Sequence, residues 1–416
     1  MEFIELNEKE YKKFYNDYQG TFLQSPEMAR VNEQTNNQTF FLGVKKNNNI
    51  VAASLFIVRK NKNRYYLYSP RGLQVDYNDL EILEYYVKSL KKFAQEKKYY
   101  MIKIDPYIEL YSRNSEGEKV DGIDNSHFIN TLNKFGFKYL NFSVQKKWFY
   151  VLDINNRSEE EMFNNFRSTV RNIIRKCQRI GIEIEEIEED FTRFSNIVSE
   201  TAERKNFSVR DDEYYSLMKK EFEENLKVMI AKINLKKYLK NLNEELNELE
   251  LNFSKIKGEG KRKNHQDNIN NIKSTINKVE EKRNEHGEVV DLAASMFLIS
   301  DQEIIYLYSG SKEEFLFLNA PYLLQWEIIK ETIKRKIPRY NFYGIEDLSD
   351  PSIKNRGVYD FKKGFNGNVI ETIGELDLYL CPKEKFKYYL KKIIKKKWGI
   401  FDIINYQVKL EGLFWK

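Results

Sequence analysis

Apolar and polar positions alternate along this chain in short runs separated by turns, and one pair of runs occurs twice. The stretch "VAASLFIVRKNKNRYYLYSPRG" (51–72) returns as "LAASMFLISDQEIIYLYSGS" (292–311). Each copy reads as strand, polar turn, strand, with Ala-Ala-Ser opening the first strand and Tyr-Leu-Tyr-Ser in the second. An apolar strand precedes each copy, "TFFLGV" in one and "LKVMIAKI" in the other. A segment of helical spacing follows, "DLEILEYYVKSLKKFAQEKK" or "APYLLQWEIIKETIKRKI", and then a further strand, "YYMIKIDP" or "YNFYGI". Agreement in the order strand, strand, strand, helix, strand predicts two copies of one mixed α/β unit, a central sheet with antiparallel strands and helices against it. The first unit is expected over residues 1–150 and the second over 151–374. The tail 375–416, with the basic helix "KEKFKYYLKKIIKKKW", is expected to pack back on the first.

The copies differ at one turn. Where the first has "KKNNN", the second has about fifty residues, 233–286. There Leu235, Leu239, Leu242, Leu246, Leu249, Phe253 and Ile256 alternate spacings of four and three, and Ile269, Ile272, Ile276 and Val279 continue the pattern after "GEGKRKN". The spacing predicts an antiparallel coiled-coil hairpin, each arm reaching roughly 35–40 Å at ~1.5 Å per residue. Replacing it by a short turn is expected to leave both units folded. Its tip carries Lys255, Lys257, Lys261, Arg262 and Lys263. Such a run is commonly a solvated face; on a rigid arm it also suits a phosphate backbone.

Composition narrows the picture further. A chain of 416 residues exceeds one ordinary core. The 69 Lys+Arg against 63 Asp+Glu give +6, which permits a polyanionic partner without demanding one. Cys177 and Cys381 make no disulfide framework and point to a reducing compartment. The start "MEFIELNEKEYKKF" lacks the apolar core of a signal peptide, and runs such as "IVAASLFIV" fall short of the ~20 residues that span a bilayer. The expectation is a soluble, cytosolic protein. Its basic C-terminal helix would suit the inner face of an anionic membrane, or equally water.

No common catalytic cluster stands out. His127, His265 and His286 have no metal-ligand spacing, and there is no GxSxG elbow, P-loop or GxGxxG. The loop that cradles the coenzyme A pyrophosphate in acetyltransferases of this sheet order is also missing. Chemistry here would run by positioning and electrostatics on an activated substrate. The stretch "VYDFKKGFNG" (358–367) reads as an edge strand and turn, with Lys362 and Lys363 on opposite faces.

Four stretches together resemble the Fem family, of the FemA and FemX type: "YLYSPRGLQVDY" (66–77), "IRKCQRIGIEI" (174–184), "YNFYGI" (340–345) and "VYDFKKGFNGNVIETIGELD" (358–377). Its members are aminoacyl-tRNA-dependent peptidyltransferases that build the side bridges of bacterial peptidoglycan. The resemblance spans nearly the whole chain. It implies twin acetyltransferase-like (GNAT-type) domains, with a coiled-coil arm in the second for FemA-type members. It matches Arg30, and Arg210 with Tyr214, to groups on the precursor diphosphate, with Arg210 and Tyr214 expected on one helical face. Tyr100, Asp105 and Tyr308 match cleft positions, and Lys362 the lysine near the reacting centre. Each also has an ordinary reading: surface ion pair, turn former or core packing. Gly72-Leu73 departs from the commoner Gly-Pro, which leaves acceptor specificity open.

The resemblance therefore implies transfer of an aminoacyl group from tRNA to the stem-peptide amine of a UDP-linked or lipid-linked peptidoglycan precursor. Lys362 would neutralise phosphate or oxyanion charge, and Asp105 would orient or deprotonate the amine. Lys257, Lys261, Arg262 and Lys263 would meet the tRNA. No metal or cofactor is implied beyond aminoacyl-tRNA as co-substrate. The rival readings are a coenzyme A dependent N-acetyltransferase and a non-catalytic coiled-coil scaffold.

Overall fold

The computed structural model describes residues 1–139, 145–350 and 356–381. The basic C-terminal helix lies outside them. In chain order the first half contains β1 (Glu2–Glu5), α1 (Glu8–Tyr18), α2 (Pro26–Gln34), β2 (Thr39–Lys46), β3 (Asn49–Asn61), β4 (Arg64–Ser69), α3 (Leu80–Glu96) and β5 (Met101–Ile104). A hairpin of β6 (Glu109–Arg113) and β7 (Lys119–Asp124) follows, then α4 (Ser126–Lys134) and β8 (Lys138–Tyr139). The second half opens with β9 (Trp148–Asp153), α5 (Glu159–Asn165), α6 (Ser168–Arg179), β10 (Ile182–Ile187), α7 (Thr192–Lys205), α8 (Asp212–Phe222) and β11 (Leu226–Asn234). After the arm helices α9 (Leu235–Phe253) and α10 (Glu259–His286) come β12 (Val289–Ile299), β13 (Glu303–Ser311), α11 (Ala320–Lys334) and β14 (Arg339–Gly344). The described chain closes with α12 (Gly357–Lys363), β15 (Asn368–Thr372) and β16 (Leu376–Tyr379).

The repeat read from the sequence is a repeat of topology. β1, β2, β3 and β4 run antiparallel in succession and β4 pairs in parallel with β5. β10, β11, β12, β13 and β14 reproduce this arrangement. Even the register shift recurs, at Val44/Lys45 in β2 and at Ala231/Lys232 in β11. The expected pair of mixed α/β units is thus present.

The strands do not divide at residue 150, however. Among the described residues the first sheet has the order β1-β2-β3-β4-β5-β16-β8 and the second β10-β11-β12-β13-β14-β9-β15-β6-β7. The β6–β7 hairpin, early in the chain, extends the second sheet through β15, while β16 returns to the first beside β5. A buried ion group fixes that return, with the Lys103 ammonium between the carboxylates of Glu375 and Asp377. Each sheet has its own apolar core. A third cluster joins the units, uniting Phe22, Met28 and Val31 with Tyr215, Met218 and Ile305.

The arm is the expected antiparallel pair of helices, with Ile269 and Val279 buried in the seam. Its base is not separable from the second unit, because Leu235, Tyr238, Leu239, Leu242, Ile276 and Val279 belong to that unit's core. Excising all of 233–286 would uncover this surface, which corrects the expectation that a short turn could replace it.

Candidate active site

β13 and β14 pair in parallel only as far as Ile305 and Asn341, although β13 continues to Ser311 and β14 to Gly344. The strands part there, and the end of β14 carries the buried chemistry. Tyr343 adopts φ +64, in the left-handed region unusual for a bulky side chain. Its ring packs against Phe149, with centroids 5.5 Å apart.

Lys362 reaches this point from a helix. The stretch expected as an edge strand forms α12 instead, and Gly364 ends it. Helical rotation of about 100° per residue separates the two lysines, where strand alternation was expected to do so. Tyr359 and Lys362 turn inward. The Lys363 ammonium pairs with Glu116 at the surface. Lys362 is 5% exposed, and its ammonium donates to the Gly344 carbonyl at 2.6 Å and the Tyr343 carbonyl at 3.4 Å. Burial pulls its pKa down to about 7; Glu346 opposes the shift and Lys146 adds to it.

On the other side of Tyr343 lies a buried ion pair. Asp105 follows β5, and Arg71 follows β4 with φ +59. The Arg71 backbone N–H donates to Asp105 Oδ1 at 2.8 Å, and its Nη1 stands 3.2 Å from Oδ2. Arg71 Nη2 also donates to the Lys146 carbonyl at 2.9 Å, and the guanidinium lies 5.0 Å from the Phe149 ring centre. Burial pushes the Asp105 carboxyl up while Arg71 opposes it. Asp105 is therefore occupied by Arg71 and does not stand open to a substrate amine as expected.

A third group combines guanidinium and phenol. Arg210 precedes α8 and does not share a helical face with Tyr214 as expected; Asp211 caps that helix by accepting from the Tyr214 N–H at 2.9 Å. The Arg210 guanidinium still lies 4.4 Å from the Tyr214 ring centre. Tyr308 packs edge-on against Tyr215 at 5.6 Å, within electrostatic reach of Tyr214 and Arg210. Arg59 of the first unit comes within reach of Tyr66, Tyr68, Arg210 and Tyr214, and Tyr66 meets Tyr100 edge-on at 5.9 Å. Arg210, Tyr214 and Tyr308 of the second unit thus form with Arg59 of the first a basic, aromatic wall, and Tyr100 packs on Tyr66 beside Arg59.

Two expected groups lie apart. Arg30 on α2 is held by Glu221 of α8 and Glu8 of α1, both at 2.5 Å, with Glu27 at 3.6 Å. In this structure it clasps the two units. The tip residues Lys257, Lys261, Arg262 and Lys263 are exposed at the far end of the arm. Among the described residues, Glu285, His286 and Glu314 have metal-ligand proximity, but Lys282 already bridges Glu285 and Glu314. Sequence reasoning passed over Arg59, Arg71, Glu303 and Tyr343. Arg71 and Tyr343 sat inside quoted motifs, yet nothing local marks an arginine that will be buried or a tyrosine that will take a positive φ.

Comparison with known proteins gives the family and the fold. The FemAB family model matches residues 6–396. "Aminoacyltransferase FemA" of Staphylococcus aureus strain MRSA252 is 28% identical over 417 residues, covering 95% of this chain and 99% of that protein. The protein of the same name from strain N315 shows the same identity and coverage. The crystal structure of FemX superposes with a TM-score of 0.71 at 23% identity, covering 93% of this chain and 99% of that one, and so shares the fold. With a family match over nearly its whole length, this chain belongs to the FemAB family.

Proposed function

We propose that this protein transfers an aminoacyl group from aminoacyl-tRNA to the stem-peptide side-chain amine of a peptidoglycan precursor, building the interpeptide bridge. The observation that supports this reading most is the basic, aromatic wall of Arg59, Arg210, Tyr214 and Tyr308, contributed by both units, in a chain whose Lys362 is buried against the carbonyls at the end of β14. The wall suits a phosphate-bearing acceptor, because guanidinium groups match phosphate geometry and tyrosines stack on the attached rings. The donor ester is already activated, so alignment of amine and carbonyl supplies most of the catalysis. Lys362 would stabilise the oxyanion or a nearby phosphate. Asp105 would act through Arg71, holding it in place. Single-turnover incubation with a panel of charged tRNAs and with UDP-linked and lipid-linked precursors tests the reading. Product from one tRNA and precursor pairing is expected, and none from any pairing would refute it. Acetyl-CoA is expected not to bind in calorimetry.

The arm offers a separate test of tRNA use. Replacing 247–271 by a short Gly-Asn turn keeps Leu246 and Ile272, and with them the buried base. This variant should melt within a few degrees of the parent. Its affinity for tRNA should fall roughly tenfold at 0.1 M salt, and the slope of log affinity against log salt should flatten by about 2–4, as the tip cations no longer meet phosphates. An unchanged slope would leave the basic tip merely solvated.

A further inference from the structure

Thr21, Arg71, Tyr107, Glu303, Ile305 and Tyr343 are among the residues lining a small cavity between the two units. We propose that Glu303 is the subsite for the α-ammonium group of the aminoacyl residue being transferred. This rests on the aminoacyl-transfer reading above.

The Glu303 side chain is buried at 8% exposure, and Asn341 Nδ2 donates to its Oε2 at 2.9 Å. Two guanidinium groups lie within electrostatic reach, but both are matched elsewhere: Arg71 by Asp105 and Arg339 by Asp153 at 3.0 Å. A buried carboxylate held by one neutral amide is costly, and a cation brought by a ligand would relieve that cost. Burial also pushes the Glu303 carboxyl up, as expected for an anion awaiting a counter-charge. The Tyr107 and Tyr343 rings give aromatic walls, which favour an ammonium. Thr21 Oγ1 is buried without a protein hydrogen bond, leaving an acceptor for a second N–H.

Size limits the group that would enter, and charge identifies which amine it is. The free space is about 10 Å³, room for one water-sized group such as –NH₃⁺ and for little else. An amine attacking an ester needs a free electron pair, and a group held by Glu303 as –NH₃⁺ has none. The group held here is therefore the amine that does not react. In an aminoacyl ester that amine is two bonds from the carbonyl carbon.

The test compares single-turnover transfer from one tRNA carrying either an aminoacyl ester or the isosteric α-hydroxyacyl ester. The parent protein should favour the aminoacyl donor by about 10²-fold, the scale expected for a site built around a charged hydrogen bond. Glu303→Gln should bring the ratio within about fivefold and Glu303→Asp should fall between. Because the ratio is internal to each preparation, a partly misfolded variant lowers both rates alike. A parent protein that transfers both esters equally, or a Glu303→Gln variant that keeps the parent ratio, overturns the subsite alone. Transfer of neither ester by the parent protein overturns the aminoacyl-transfer reading, and the subsite with it.

Discussion

Lys362→Ala is expected to lower aminoacyl transfer by about 10²–10³-fold, the loss typical of removing one preorganised group that stabilises developing charge, while Lys363→Ala costs less than about threefold. The contrast follows from α12, which buries the Lys362 ammonium against the Tyr343 and Gly344 carbonyls and leaves Lys363 paired with Glu116 at the surface. Alanine also leaves a void, so Lys362→Met, which retains the volume, should lose the same activity with a smaller loss of stability. A pH signature separates the ammonium from its packing. Folded Lys362 releases its proton near pH 7, whereas the unfolded chain holds it to about 10.4. Between those values the unfolded state binds more protons, so this group's contribution to stability rises with pH across that window. Lys362→Met should lack that rise in urea denaturation series. Equal and small effects of Lys362→Met and Lys363→Ala on transfer would remove Lys362 from the chemistry.

Asp105→Ala should destabilise the protein by about 3–5 kcal/mol, because it leaves the Arg71 guanidinium buried without its carboxylate. Arg71 and Asp105 are 5% and 1% exposed, so solvent gives little relief. Against a total stability of about 5–15 kcal/mol this is a large share. Arg71→Met combined with Asp105→Ala should recover part of it, giving a coupling in a double-mutant cycle that two independent sites would not show. Asp105→Asn keeps the shape and the acceptor for the Arg71 N–H, and should lose both stability and activity. If Asp105→Asn abolished transfer with a stability change under about 1 kcal/mol, Asp105 would be a free base and its pairing with Arg71 incidental. That outcome would favour the reading that the family resemblance implies for Asp105.

The elements recovered from pattern alone were those stabilised by their own neighbours in sequence. Leu235, Leu239 and Leu242 share a helical face through spacing, and "VAASLFIV" with "YYLYS" makes a hairpin through a local turn, so their periodicity carries their structure. The stretch around Lys362 misled because a seven-residue helix is too short to show a period. Similarly, Arg210 and Tyr214 have helical spacing, yet Asp211 caps the helix between them. Of the expected residues, Arg210, Tyr214 and Tyr308 lie within reach of one another, Tyr100 packs on Tyr66 and Lys362 is buried at the end of β14, whereas Arg30 is taken by three carboxylates.

By itself the amino-acid sequence determined the two-unit repeat, the arm, the succession of strands and helix along each repeat and the family, all of which rest on local period or on matched motifs. Tertiary structure alone decided that β6 and β7 complete the second sheet and β16 the first, that the arm's base belongs to the core, and which charges are matched. Those outcomes depend on pairings between residues far apart in the chain, such as Lys103 with Glu375 or Arg30 with Glu221. The free energy of such a pair is set by burial and by the partner facing it, and neither leaves a periodic trace along the chain.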